Sequence, residues 1–458
     1  MLQLSDVFPA FKAYDIRGVV GEQLDAGVMR ALGAAFARLV SRSGTGAPAA
    51  SVVVGRDMRA SSPELAGAFA AGVTGQGLDV VDIGLASTDM LYYAAGSLNM
   101  PGAMFTASHN PAKYNGIKLC LAGAVPIADD TGLAAIRDDM RADDEQVEKP
   151  GTVTERNLLD DYGKYLRGLV DLISIRPLKI VVDAGNGMGG YTVPTCLDGL
   201  PIDLVPMYFE LDGTFPNHEA NPLDPKNLVD LCGRVPEVGA DIGLAFDGDA
   251  DRCFVVDERG EPVSPSAVTA LVAVRELARE PGSAVIHNLI TSKAVPEIVA
   301  EHGGRAVRTR VGHSFIKQTM ADTGAVFGGE HSAHYYFRDF WRADSGMLAA
   351  LHVLAALGER NGALSELMAD YSRYSASGEI NSSVADPVAR LADVKQHYAG
   401  YDGVSTDELD GLTVNFADGS WFNLRPSNTE PLLRLNVEAA DDRAMAALRD
   451  AVLALVRA

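Results

Sequence analysis

Ile242-Gly243-Leu244-Ala245-Phe246-Asp247-Gly248-Asp249-Ala250-Asp251-Arg252-Cys253-Phe254-Val255-Val256 sets an acidic hexapeptide between two apolar, strand-like runs. Three carboxylates stand at alternate positions with a cation behind them. On an extended segment, residues i, i+2 and i+4 point to one side. Two unit charges ~4 Å apart repel by about 4 kcal/mol at an effective dielectric of 20, so such a cluster needs a positive partner. A hard divalent cation with oxygen ligands, such as Mg²⁺, fits that need. The plain alternative is a solvated acidic turn.

Outward from this loop the same grammar repeats. Leu178-Lys179-Ile180-Val181-Val182-Asp183 opens the unit that ends in the acidic motif. Ahead of it, Ser51-Val52-Val53-Val54-Gly55-Arg56-Asp57, a helical pattern from Ser62-Pro63-Glu64 and a strand at Leu78–Ile83 lead to Met104-Phe105-Thr106-Ala107-Ser108-His109-Asn110. Behind it, Ala284-Val285-Ile286, a helical stretch and a strand at Ala306–Arg308 lead to Gly329-Glu330-His331-Ser332-Ala333-His334. Strand, helix, strand, then a polar cluster is α/β construction, and sites in such folds lie at the carboxyl ends of strands. From about residue 371 the pattern changes to antiparallel strands closed by an amphipathic helix from Asp442 to Val456.

Composition narrows the partners. The 458 residues suit several domains. With 39 basic and 61 acidic residues, the formal charge is −22. That surface repels nucleic acid and anionic membrane, so a phosphate-bearing ligand must be small and locally bound. Four separated cysteines, Cys120, Cys196, Cys232 and Cys253, form no metal or disulfide pattern. No signal peptide or membrane span is evident, and a cytoplasmic protein without an obligatory protein partner is expected.

Each remaining cluster has a functional and an ordinary reading. Ser108, in a turn before Asn110-Pro111, is a candidate nucleophile or a turn serine bonded to its own backbone. Arg425-Pro426-Ser427-Asn428-Thr429 suits a phosphate or is a polar hairpin loop. Glu330, Ser332 and His334 would share one face of an extended segment and read sugar hydroxyls, or line an edge strand. Lys293, His313, Tyr14 and Arg17 are weaker candidates. Gly185-Asn186-Gly187-Met188-Gly189-Gly190 matches a dinucleotide fingerprint, with Asp203 near the required spacing. Asp247, Asp249, Asp251 and Glu258 match calcium-loop positions, but Arg252 stands where that loop needs glycine and the flanks are strands.

Together the motifs resemble the α-D-phosphohexomutase superfamily, in particular bacterial phosphomannomutase/phosphoglucomutase. The likeness runs through Tyr14–Gly18, Thr106–Pro111, Phe215-Pro216-Asn217-His218, Asp247–Arg252, Gly329–His334 and Arg425–Pro431. It implies three related mixed-sheet α/β domains plus a C-terminal α+β domain around a central cleft. Their expected bounds are 1–150 with a phosphoserine loop, 151–260 with a metal loop, 261–370 with a sugar loop, and 371–458 with a phosphate site.

By the same resemblance, the chain interconverts hexose 1-phosphate and hexose 6-phosphate, of mannose and of glucose, through a phosphoserine and a hexose 1,6-bisphosphate. Ser108 would carry the phosphoryl group, with Ser108, Asp247, Asp249 and Asp251 holding Mg²⁺. His109, Lys118 and Arg252 would surround the transferring group, with His313 or His334 exchanging protons. Tyr14, Arg17, Lys293, Glu330, Ser332, Arg425, Ser427, Asn428 and Thr429 would bind substrate. His331 and Ala333 replace the Met and Gly of the dual-specific Gly-Glu-Met-Ser-Gly-His pattern, which leaves the sugar preference open. Phosphoglucosamine mutase remains the alternative within the family. A nicotinamide-dependent dehydrogenase and a non-catalytic sugar-phosphate binder remain outside it.

Overall fold

The computed structural model describes residues 7–42, 49–141, 147–426 and 432–458. The chain forms two compact units: Met1–Val263 with Ser332–Ser365, and Ser264–His331 with Glu366–Ala458.

The first unit holds two mixed sheets built on one plan. In the first, β1 (Ile16–Val19), β2 (Ser51–Arg56), β3 (Asp79–Leu85), β4 (Gly102–Phe105), β5 (Tyr114–Leu121), β6 (Val125–Pro126) and β7 (Val153–Glu155) assemble in the order β1-β5-β4-β2-β3-β7, with β6 on β5. β3 and β4 flank β2 in parallel, and β5 returns antiparallel to β4. In the second, β8 (Leu178–Asp183), β9 (Ile202–Met207), β10 (Ile242–Phe246), β11 (Cys253–Asp257) and β12 (Pro262–Val263) run β12-β11-β10-β8-β9. Here β9 and β10 flank β8 in parallel, and β11 returns antiparallel to β10. Ser108 follows β4 and the aspartates follow β10, so both motifs occupy the same reversal in two copies of one sheet.

The central strands are buried on both faces: β10 and β11 are buried throughout, as the apolar runs Ile242–Phe246 and Cys253–Val256 require. The helices Ala26–Arg42 and Ser62–Gly75 pack closely because Gly33 faces the Phe69 carbonyl and Gly72 the Arg30 carbonyl, where a Cβ would fall at 2.2 and 2.1 Å. Phe36, Phe69 and Phe105 continue that contact into the core. The hairpin β16 (Tyr335–Phe337) and β17 (Ala343–Asp344) also belongs to this unit. So does the helix Gly346–Gly358, apolar nearly all round and buried accordingly.

The second unit repeats the parallel core, with β14 (Arg305–Thr309) and β15 (Phe327–Gly329) flanking β13 (Ala284–Asn288). It adds a five-stranded sheet in the order β18-β22-β21-β20-β19. Its strands are β18 (Ser375–Ser383), β19 (Ser405–Asp407), β20 (Leu412–Asn415), β21 (Trp421–Pro426) and β22 (Leu432–Ala439). All neighbours in that sheet are antiparallel, and the helix Asp442–Val456 packs on it, capped by Asp441. Among the described residues, no helix is long and apolar enough to cross a membrane.

Two local expectations are corrected. Asp247–Arg252 is a turn with Ala250 at φ 57°, and Glu330–His334 is a turn with Ala333 at φ 65°; neither is the extended segment that the alternating residues suggested. The aspartates converge because the chain reverses around them. Glu330 belongs to the second unit, Ser332 and His334 to the first.

Candidate active site

The reversal after β4 puts Ser108 at φ 50°, a left-handed conformation that costs a non-glycine residue about 1–3 kcal/mol. Its amide donates to Thr106 Oγ1 at 2.9 Å, so the turn is held by its own side chain. The hydroxyl is thereby aimed across to the second sheet, where it donates to Asp247 Oδ2 at 2.8 Å. Only 5% of Ser108 is exposed.

Asp247, Asp249 and Asp251 are buried, and each can offer an oxygen within 4.8 Å of those from the others. The cations around them are unequally shared. Arg252 forks onto Asp247 Oδ2 through Nε at 3.0 Å and Nη2 at 2.9 Å. Lys118, on β5, bridges Asp249 Oδ2 at 2.8 Å and Asp251 Oδ2 at 2.6 Å. Thr88, which opens the helix Thr88–Ser97, donates its hydroxyl to Asp249 Oδ2 at 2.6 Å and its amide to the Asp249 carbonyl.

Burial pushes the Asp247 carboxyl up, and Arg252 only partly offsets that. For Asp249 burial acts the same way but Lys118 wins, holding it below the usual carboxylate range. Burial opposes charge on Lys118, and Asp249 and Asp251 outweigh it, so the ammonium is held well above the ordinary lysine value.

Two oxygens are left over. Among the described residues, Asp249 Oδ1 and Asp251 Oδ1 are buried without a hydrogen-bond partner. Buried acceptors are almost always satisfied, so a pair of orphaned carboxylate oxygens beside a third carboxylate fits a metal ion with hard oxygen ligands.

His109 Nδ1 lies 2.7 Å from Arg252 Nη2 and 3.0 Å from Ser108 Oγ. A guanidinium only donates, so this nitrogen accepts and the ring is neutral. Burial, then Arg252 and Arg17, keep its pKa well below the ordinary histidine value. His334 Nδ1 is 3.0 Å from Ser332 Oγ, and its Nε2 is 3.7 Å from Asp251 Oδ1, a separation of ion-pair type. Arg17 holds Asn110 Oδ1 and Asp15 Oδ2, both at 2.6 Å, on the strand preceded by half-buried Tyr14. The first unit thus brings Ser108, His109, Lys118, Asp247, Asp249, Asp251, Arg252 and His334 together, with Arg17 tied to the serine loop through Asn110.

In the second unit, buried Glu330 accepts from Asn288 Nδ2 at 3.1 Å and the Gly312 amide at 3.2 Å. His313 opens the helix that follows Gly312. Lys293 stands at the N-cap position of the helix Ala294–Glu301, without a side-chain cap bond, and its ammonium donates to the Gly419 carbonyl at 3.3 Å. Arg425, at the end of β21, pairs with Glu379 at 2.7 Å and keeps Nε buried without a partner among the described residues. Ser427, Asn428 and Thr429 lie outside the described residues.

The glycine run 185–190 has a packing purpose. A Cβ on Gly187 would fall 2.7 Å from the Gly248 carbonyl, and one on Gly190 2.3 Å from that of Phe209. The run lets the helix Gly189–Leu197 start against the aspartate loop. Thr88, Thr106 and Arg59 are given no role by the sequence. Thr88 carries no local pattern, Thr106 stands out only as the first residue of the serine motif, and the signal for Arg59 is its place just beyond the carboxyl end of β2.

Comparison with known proteins agrees along the chain. Models of the phosphoglucomutase/phosphomannomutase family match in order: α/β/α domain I at residues 9–147, domain II at 160–260, domain III at 264–374 and the C-terminal domain at 379–455. A Xanthomonas campestris protein named for phosphohexose mutases is 42% identical, over 95% of this chain and 96% of its own length. An Escherichia coli phosphomannomutase is 40% identical, over 94% and 95%. The crystal structure of a phosphoglucomutase/phosphomannomutase family protein from Burkholderia thailandensis superposes with a TM-score of 0.88 at 34% identity, covering 100% of this chain and 98% of that one.

Proposed function

The chain belongs to the phosphoglucomutase/phosphomannomutase family and is a phosphohexomutase, and we propose that it moves phosphate between O1 and O6 of mannose and glucose through Ser108. The observation that carries this reading is the Ser108 hydroxyl, held 2.8 Å from Asp247 beside two orphaned carboxylate oxygens.

Phosphoryl transfer is chiefly alignment plus neutralisation of charge on the equatorial oxygens. Asp247, Asp249 and Asp251, with the Ser108 oxygen, would hold Mg²⁺, which when bound adds positive charge beside the transferring group. Lys118 and Arg252 supply fixed positive charge there. His109, neutral and accepting from Arg252, orients that guanidinium. His334 or His313 would exchange the hydroxyl proton, and the His334 ring is held by Ser332. Ser108 gives its phosphate to the free hydroxyl of a hexose phosphate, the 1,6-bisphosphate turns, and its other phosphate returns to Ser108. The turn requires that water be excluded meanwhile, since the phosphoserine would otherwise be hydrolysed.

Arg425, with Ser427, Asn428 and Thr429, would take the phosphate that is not reacting; its Nε, buried without a partner among the described residues, suits an anion. Glu330 and Ser332 would read sugar hydroxyls. Tyr14, Arg17, Lys293 and His313 would complete the substrate site. Readers of O3 and O4 scarcely sense C2, so both epimers should react.

Incubation with glucose 1,6-bisphosphate followed by peptide mass mapping tests the carrier. We expect one phosphate, on the peptide containing Ser108, and no turnover by Ser108→Ala in a coupled mutase assay. Phosphate on another peptide sinks the reading. Turnover of mannose 1-phosphate, glucose 1-phosphate and glucosamine 1-phosphate tests the sugar; a strong amino-sugar preference reassigns it.

A further inference from the structure

Arg59 lies just beyond the carboxyl end of β2, is 1% exposed, and turns both terminal nitrogens of its guanidinium to the serine loop. Nη2 donates to the carbonyls of Ser108 at 2.8 Å and Asn110 at 2.7 Å. Nη1 donates to those of Pro111 and Tyr114, both at 3.0 Å. Nε donates to Asp57 Oδ2 at 3.1 Å. All five N–H groups are used, four of them on consecutive parts of one turn. Asp57 is itself fixed, its Oδ1 accepting from the Arg59 amide at 3.0 Å and Ser62 Oγ at 2.6 Å.

From the second sheet's side, the Phe215 ring lies 5.2 Å from the guanidinium, and Gly213 approaches so closely that a Cβ would fall 2.7 Å from Arg59 Cα. Arg59 therefore touches both halves of the site: the loop that bears Ser108 and a segment from the sheet that bears the aspartates. The Ser108 hydroxyl itself is bonded to Asp247 and His109, not to Arg59.

We infer that Arg59 is a positioning residue for phosphoryl transfer. By collecting the carbonyls of residues 108, 110, 111 and 114 onto one rigid fork, it fixes the left-handed turn that aims Ser108 Oγ at Asp247. Only a planar five-donor group can do this; lysine offers three donors on a single nitrogen and cannot span four carbonyls. The inference rests on Ser108 being the phosphoryl carrier. A misplacement of about 1 Å at a reacting atom can cost about 100-fold in rate, and that loss should fall on kcat, because the hydrogen bonds of Arg59 go to Asp57 and to backbone carbonyls and not to a side chain proposed to bind substrate.

The test uses full-length Arg59→Lys, Arg59→Gln and Arg59→Ala beside wild type, with folding followed by circular dichroism. The lysine and glutamine variants should keep the fold and KM within about threefold, while kcat and the rate of Ser108 phosphorylation by glucose 1,6-bisphosphate fall about 100-fold. Guanidinium at millimolar concentration should recover part of the kcat of Arg59→Ala, and ammonium should not. Wild-type kcat in Arg59→Lys overturns the proposal. So does a kcat loss that only tracks the unfolded fraction, or failure of every variant to fold, either of which makes Arg59 a residue of the fold alone. Wild-type enzyme that takes no phosphate on Ser108 instead overturns the carrier reading, and this inference with it.

Discussion

Gly248 is pressed against the backbone of Ser108: a Cβ built on the glycine would stand 2.4 Å from the Ser108 carbonyl oxygen. The two loops of the site therefore meet main chain to main chain. That oxygen cannot swing aside, because Arg59 already holds it.

Gly248→Ala should thus force the loops apart. Overpacking of this kind typically costs about 1–3 kcal/mol, and here the strain falls on the Ser108–Asp247 contact. The expected result is a lower melting temperature together with a kcat loss larger than that of a surface Gly→Ala control such as Gly168→Ala, which has open space around it. Unchanged kcat would mean that the loops can separate without consequence.

Lys118 occupies the carboxylates that a metal ion would use, bridging Asp249 and Asp251. Removing its charge has two opposite effects. Turnover should fall, because a fixed cation beside the transferring phosphate is gone. Mg²⁺ affinity should rise, because a repulsion of up to about 4 kcal/mol per unit-charge pair at ~4 Å is removed. Lys118→Met should bind Mg²⁺ at least about tenfold more tightly in calorimetry while losing most of its activity. Weaker binding would show that the ammonium helps to shape the metal site.

Much of this site was legible because chemistry compresses into short motifs. The aspartate loop and Ser108 stand out in sequence by charge and by turn residues, and the matched order of strands placed both at the ends of related units. The reason for their convergence was not legible. Alternation suggested a strand, whereas Asp247–Arg252 and Glu330–His334 are turns containing alanines at positive φ, which no propensity anticipates. Arg59 was missed for a different reason. Its carbonyl partners lie 49 to 55 residues further along the chain, and backbone oxygens carry no residue-type signal.

Chelation should reveal the orphaned oxygens of Asp249 and Asp251 directly. Treatment with EDTA is expected to abolish turnover and lower the melting temperature, and Mg²⁺ to restore both. Saturation at 100 times Kd contributes about 2.7 kcal/mol to a folded site that the unfolded chain lacks. Asp251→Asn should lose most of that metal-dependent stabilisation. Full activity after exhaustive chelation would remove the metal from the mechanism.

His287 offers a pH test away from the aspartates. It lies on β13, 6% exposed, with Nδ1 3.1 Å from the Asn288 carbonyl. Burial, with a smaller contribution from Arg308, lowers its pKa to about 4. The unfolded chain binds this proton near 6.5, before the folded protein does. Stability from the neutral ring is therefore fully present above about pH 6.5 and is lost progressively as pH falls towards 4, by about 3 kcal/mol in total. Glutamine keeps an N–H donor but does not titrate. Urea unfolding of the second unit, followed by hydrogen exchange at β13 amides, should lose more stability between pH 7 and pH 4.5 in wild type than in His287→Gln. Equal losses would mean that the ring accepts its proton at an ordinary pKa, and that acid destabilisation of this unit originates in other groups.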